Sequence, residues 1–158
     1  MEDYQAKAKA LSTAKALAIA AYGESVAAFR YRHLAEKTTN EIQRHVFSEM
    51  ADEEHGHHLA VRALIDRTFP GSDFVLGAAD KDLVIVGPRT FDLQTPEAYQ
   101  SALGMIQESE RRTGRFYAEL ADSVDAADLK AMFREMADEC FEHAERLATI
   151  PGEFMPKA

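Results

Sequence analysis

The chain has 158 residues, 46% of them hydrophobic, which suffices for one domain with a sizeable core. Its net charge of −9 argues against nucleic acid or an anionic membrane surface as a partner, and no apolar run reaches the roughly 18 residues that span a bilayer. The single cysteine excludes an internal disulfide framework. The alanine-rich start carries Glu2, Asp3, Lys7, Lys9 and Lys15, so it reads as helix rather than export signal, and the expected compartment is the cytoplasm.

From about Asp3 to Glu36 the chain is rich in Ala, Leu, Lys and Glu and has no proline, which predicts one long helix. Thr38-Thr39-Asn40-Glu41 has capping-box spacing, with Thr38 as the cap and Glu41 reaching back. A second helix follows through Ile42, Val46, Met50, Leu59 and Leu64, and should end near Phe69, before Pro70-Gly71. Residues 70–95 are punctuated by glycine, proline and aspartate around Asp82-Leu83-Val84-Ile85-Val86. That β-like run has no partner strand in the chain. It predicts an extended crossover packing apolar side chains along a helix bundle.

Thr95-Pro96-Glu97 combines a capping hydroxyl, proline at the first helical position and an early acid, so a third helix should run to about Ser123. Asp125 is the expected cap of a fourth, continuing through Leu129, Met132, Phe133, Met136 and Leu147 to Pro151-Gly152. The tail from Glu153 carries no legible signal. The expected organisation is one domain over 1–158, with hairpins at about 3–69 and 96–148 joined by the crossover 70–95.

The chemistry concentrates in 49-EMADEEHGHH-58, where Glu54 and His57 stand three apart. Residues i and i+3 share one side of a helix, so this pair can grip one metal ion from one face. The stretch returns as 135-EMADECFEH-143. Shifting the chain by 86 positions aligns its halves without a gap: Glu24 falls on Glu110, Tyr31 on Tyr117, Leu34 on Leu120, Phe47 on Phe133, Glu49–Glu53 on Glu135–Glu139 and His57 on His143. Two copies of a helical hairpin suit a closed four-helix bundle. Glu24 and Glu54 each lie 15 residues from Thr39, and Glu110 and Cys140 each lie 15 residues from Asp125. At 1.5 Å per residue, all four sit roughly 22 Å down their hairpins.

Cys140 replaces Glu54 in the repeat. It is either a small buried hydrophobe or a thiolate standing in for a carboxylate. His58 is i+4 from Glu54 and can face the same site, whereas His55 should point elsewhere. Glu53–His57 and Glu139–His143, both i+4, form a rival register that dispenses with Cys140. Tyr31 and Tyr117 are expected to bond buried carboxylates through their hydroxyls. Phe29, Phe47, Phe116, Phe133 and Met132 are expected core.

These residues resemble the rubrerythrin-like branch of the ferritin-like di-iron carboxylate proteins. The motifs are 23-GES-25 with Tyr31, 54-EHGH-57 (which reads on to His58), 108-ESERRTGRFYAELA-121 and 140-CFEH-143, covering roughly residues 10–69 and 96–148. The resemblance implies an all-α, ferritin-like four-helix bundle. It implies terminal carboxylates Glu24 and Glu110, imidazoles His57 and His143, and Glu54 as a bridging carboxylate. Two iron ions would be held, although manganese or zinc also suits carboxylate and imidazole. It further implies reaction with peroxide or O2, an external electron donor, and a homodimer. The chain departs from the family at three points. Cys140 removes one bridging carboxylate, a lone cysteine cannot build the rubredoxin-type iron site, and Thr113 stands where rubrerythrins carry a further glutamate. The alternatives are an iron-storage or ferroxidase role, and a structural bundle whose site has degenerated.

Overall fold

A computed structural model describes residues 12–158. Four long helices, α1 (Thr13–Lys37), α2 (Glu41–Thr68), α4 (Pro96–Ser123) and α5 (Ala127–Ala148), and the one-turn α3 (Ala78–Lys81) make up the regular structure among these residues. No strand accompanies them there; Thr38 and Pro156 form an isolated bridge. Packing of α1 along α2 and of α4 along α5 gives two hairpins, joined by the crossover that carries α3. This is the ferritin-like, all-α arrangement expected from the sequence. No described helix is long and apolar enough to cross a membrane.

Several boundaries differ from expectation for local reasons. Ser12 has extended backbone and its hydroxyl accepts from Lys15 N at 3.2 Å, so α1 begins at Thr13; the expected start near Asp3 lies outside the described residues. The cap of α2 is Asn40, not Thr38: the Asn40 amide oxygen accepts from Ile42 N (3.0 Å) and Gln43 N (3.1 Å). Thr38 ends α1 instead, and its buried hydroxyl accepts from Asn40 N at 3.1 Å. Glu41 pairs with Arg44 at 2.7 Å rather than reaching back. Thr95 and Pro96 start α4 as expected, with Thr95 Oγ1 accepting from Ala98 N at 3.1 Å. Ala126 rather than Asp125 precedes α5, which starts with no side-chain cap. Phe29 is 40% exposed, stacked on His33, with the Arg89 guanidinium over its ring 5.0 Å from the centroid. It sits five residues, about 140° round the helix, from Glu24 and so faces away from the core. Phe47, Phe116 and Phe133 are buried, and Met132 packs half-buried against the cluster that holds Phe116 and Phe133.

The core falls into two apolar clusters along the bundle axis. One holds Leu17, Ile19, Val61, Phe116 and Phe133; the other holds Leu34, Phe47, Ile106 and Leu147. Between them, on every long helix, lies a polar side chain: Glu24, Glu54, Glu110 and His143, all buried. The fold thus places one polar layer between two greasy plugs.

The crossover is not a strand. Leu83, Val84 and Leu93 are buried against the bundle, while α3 is tied to α1 by Lys15–Asp80 (3.5 Å) and by Lys81 over the Tyr22 ring. The C-terminal tail, unreadable in sequence, returns to the α1–α2 turn. Thr39 N donates to Met155 O (2.7 Å), Lys157 N donates to Lys37 O (2.9 Å), and Phe154 stacks on Tyr99 with centroids 4.2 Å apart. Phe154→Ala should therefore destabilise the protein by about 3 kcal/mol in urea unfolding, as truncation of a buried aromatic does. A loss under about 0.5 kcal/mol, the level of a surface change, would show that the tail is not part of the packed structure.

Candidate metal centre

The polar layer brings five of the sequence-predicted residues into two overlapping groups. Glu24, Glu54 and His57 form one; Glu54, Glu110 and His143 form the other. Within each, one ligating atom per residue lies within 4.8 Å of the rest. Glu54 belongs to both. His57 Nδ1 is 3.5 Å from Glu24 Oε2 and 3.9 Å from Glu54 Oε2. On the other side His143 Nδ1 is 2.5 Å from Glu54 Oε1 and 3.6 Å from Glu110 Oε1.

The tyrosines reach across the bundle to the outer oxygens. Tyr31 of α1 donates to Glu110 Oε1 of α4 at 2.6 Å, and Tyr117 of α4 donates to Glu24 Oε1 of α1 at 2.8 Å. Burial pushes both phenols well above their ordinary pKa, so they stay protonated donors. The histidines are held in the same reciprocal way. His143 Nε2 bonds Glu53 Oε2 of α2 at 2.7 Å, and His57 Nε2 contacts Glu139 Oε2 of α5. Each imidazole is thus gripped at Nε2 by an acid from the opposite hairpin, leaving Nδ1 toward the central carboxylates. The rival register of i+4 pairs within one helix is not the arrangement adopted: Glu53 and Glu139 exchange partners across the bundle. Sequence spacing flagged both acids without revealing the exchange, because the partner helix decides it. Arg146 extends one of these arms, 3.2 Å from Glu53 Oε2.

Two further candidates stand apart from the groups. His58 turns toward α1, its Nδ1 2.9 Å from Ala21 O, and its half-buried ring stacks on that of exposed His55 at 6.4 Å; His55 points elsewhere as expected. Cys140 is buried in the layer beside Glu110 but joins neither group, and burial pushes its thiol pKa up, keeping it protonated.

Charge decides what this layer can do. Unit charges 4 Å apart repel by roughly 4 kcal/mol at a protein-like effective dielectric. Three buried carboxylates therefore demand a counter-charge. Without a cation the counter-charge is protons. Burial, reinforced by Glu54, pushes Glu24 up to about 8. Glu54 is held below the usual range: burial and Glu110 oppose this, but bonds from Glu24, His143 and His57 prevail. Bonds to Glu24 and Glu54 raise His57 to about 10. In His143 burial acts downward, yet Glu110 and Glu54 carry it up to about 11.

Even so, Glu24 Oε2 and His143 Nδ1 are buried with no hydrogen bond of good geometry, although both lie against ligating atoms of neighbours. Buried polar atoms without partners are uncommon, and one of these belongs to each of the two groups. The donor set of three carboxylates and two imidazoles fits a divalent cation, or a pair sharing Glu54.

Comparison with known proteins agrees with the architecture. The family model described as Rubrerythrin matches residues 15–92 and 102–157. A hypothetical protein from Pyrococcus furiosus, solved as a structure, is 25% identical and superposes with a TM-score of 0.74 over 87% of each chain. No curated protein matches the chain. With most of its length matched by the family model, this chain belongs to the rubrerythrin family.

Proposed function

We propose that this chain is a di-metal carboxylate protein, with iron as the metal, that reduces peroxide or O2 using electrons from an external donor. The observation that carries the reading is Glu54: one buried carboxylate shared by two carboxylate–histidine groups. Glu24, Glu54 and His57 would hold one ion; Glu54, Glu110 and His143 the other. Iron bound there supplies one-electron redox chemistry and Lewis acidity. For peroxide the balance is cleavage of the O–O bond with two electrons from the donor and two protons, giving two waters.

The chain's own groups have distinct tasks. Tyr31 and Tyr117 fix Glu110 and Glu24 by one oxygen each, and the other oxygen of Glu24 has no hydrogen-bond partner. Glu53 and Glu139 orient the imidazoles, and such outer partners are worth about 10–100-fold in metal affinity. Glu53 is also about half exposed and bonded to His143, which offers protons a route between the layer and solvent. The apolar clusters above and below shield the layer from solvent along the bundle axis.

Metal analysis of purified variants tests the assignment. The native chain should bind two ferrous ions, Glu24→Ala one, and Glu54→Ala neither; retention of both ions by Glu54→Ala would refute the shared carboxylate. Glu53→Ala and Glu139→Ala should each weaken ferrous binding about 10–100-fold while leaving the helical circular-dichroism spectrum intact. Turnover of hydrogen peroxide by the iron-loaded protein with a chemical reductant should follow. Iron uptake without peroxide turnover would instead mark a storage protein.

Protons must leave when metal enters, because His57, His143 and Glu24 hold protons at neutral pH in the metal-free protein. Metal loading in weakly buffered solution at pH 7.5 should release protons from both imidazoles and from Glu24. The same groups set the stability of the metal-free form. The folded histidine pKa values lie above the unfolded value of about 6.5, so their contribution is full below that pH and is lost as pH rises through about 10 to 11. Glu24, raised to about 8, acts in the same direction from about 4.5 upward. Chelator-treated protein should therefore melt at lower temperature at pH 9 than at pH 7; an equal or higher Tm at pH 9 would contradict the protonated cluster.

A further inference from the structure

Beyond the ligands lies a wall that no metal-site reasoning requires. The crossover from Asp82 to Pro88 runs over the polar layer between α1 and α4, and its carbonyls are captured one after another. Arg112 Nη1 donates to Asp82 O (3.0 Å) and Thr113 Oγ1 to Val84 O (2.9 Å). Arg30 Nη2 donates to Val86 O (2.7 Å), Gly87 O (3.2 Å) and Pro88 O (2.7 Å), while Arg30 Nη1 holds Ser109 Oγ (3.0 Å). Ser109 Oγ in turn accepts from Val86 N at 2.8 Å. Arg30, Ser109 and Thr113 are all buried. Gly87 turns the strap with φ of +80°, and a Cβ there would strike Met105. A buried arginine committed to backbone carbonyls is an anchor, and Thr113, which stands where the family carries a glutamate, serves here as a second one.

The strap delivers one side chain to the layer. Val84 is 1% exposed and lies against Gly23, the residue before Glu24; a Cβ on Gly23 would sit 3.1 Å from Val84 Cβ and 3.2 Å from its Cγ2. Between Gly23 and Val84 on one side and Glu24, Glu54, Glu110 and Cys140 on the other is a cavity of about 20 Å³. A single water requires roughly 10–15 Å³ on the same measure. Neither histidine lines this cavity, so it opens on the carboxylate side of the centre. A packing defect would be walled by apolar groups alone, whereas three of the proposed ligands face this one. Val84 and Cys140 both line it, and Cys140 fills less space than the glutamate at the equivalent position of the first repeat.

We propose that Val84, seated on Gly23 and locked by Thr113 and Arg30, sets the size of molecule that reaches the centre: it admits oxidants of two heavy atoms, O2 and hydrogen peroxide, and bars organic hydroperoxides. The inference rests on the metal-centre reading for its chemistry but not for its geometry. The test therefore has two arms. In the first, metal-free protein is titrated with dissolved xenon and followed by 129Xe NMR. The native protein should give no saturable shift, whereas Val84→Ala should give one. In the second, iron-loaded, reduced protein is mixed once with hydrogen peroxide or tert-butyl hydroperoxide and its oxidation followed by absorbance. The native protein should favour hydrogen peroxide by at least about 100-fold, and Val84→Ala should cut that preference by about tenfold, the scale on which pocket-filling groups discriminate. Val84→Thr, of the same shape, should keep the native preference and remain without xenon, which separates loss of the wall from loss of folding. Comparable rates for both oxidants in the native protein, or a Val84→Ala variant with native preference and no xenon shift, would overturn the proposal. Failure of the protein to load iron would remove the metal reading and leave the xenon arm to decide whether Val84 walls the cavity.

Discussion

Three carboxylates buried in one layer are the constraint on which the rest of this structure depends. Glu24, Glu54 and Glu110 are each at most 5% exposed, and their mutual repulsion in such surroundings is of the order of the whole stability of a small domain. The layer persists because every acid has a specific partner: a tyrosine across the bundle for Glu110 and for Glu24, and imidazoles against Glu54. Removing one member of such a buried set leaves an uncompensated charge, a far larger loss than the net worth of the pair. The apolar clusters on either side supply the driving force for folding and also the low dielectric that makes the layer demand a counter-charge.

The layer has approximate twofold symmetry, and the departures from it are informative. The 86-residue repeat makes Glu24 equivalent to Glu110, Tyr31 to Tyr117, Glu53 to Glu139 and His57 to His143, and each such pair exchanges partners between hairpins. Symmetry breaks at Glu54 and Cys140. A glutamate in both positions would close the layer with a second shared carboxylate. With Cys140 there, Glu54 alone serves both groups and a small cavity remains on its far side. The environment of the histidines is unequal too. His143 is nearly fully buried and its Glu53 is held by Arg146, whereas His57 is about one quarter exposed. The two half-sites are therefore chemically distinct despite their common pattern.

Much of this was legible in the sequence, and the reasons are physical. Glu-x-x-His marks one face of a helix, the repeat marks two hairpins, and equal distances from the turns put the candidate ligands at one depth; each is a consequence of helical period, which sequence reports directly. Partner choice is another matter. Glu53 lies four residues from His57, a spacing that permits a contact within the helix, yet it bonds His143 because the facing helix presents that imidazole more closely. Arg30 carries no periodic signal, since its acceptors are backbone carbonyls 56 to 58 residues away in an irregular segment. Asn40 displaced Thr38 as a cap because several residues in the turn can cap and backbone geometry picks among them. The docking of Phe154 on Tyr99 likewise depends on where the chain returns, which composition does not encode.

The most direct measurement is anomalous diffraction at the iron edge from crystals of the iron-loaded protein. The account predicts two anomalous peaks, one on each side of Glu54. The first should be contacted by Glu24 and His57 Nδ1, the second by Glu110 and His143 Nδ1, with both imidazole Nε2 atoms still on Glu139 and Glu53. A single peak, peaks that do not share Glu54, or coordination through His Nε2 would contradict it.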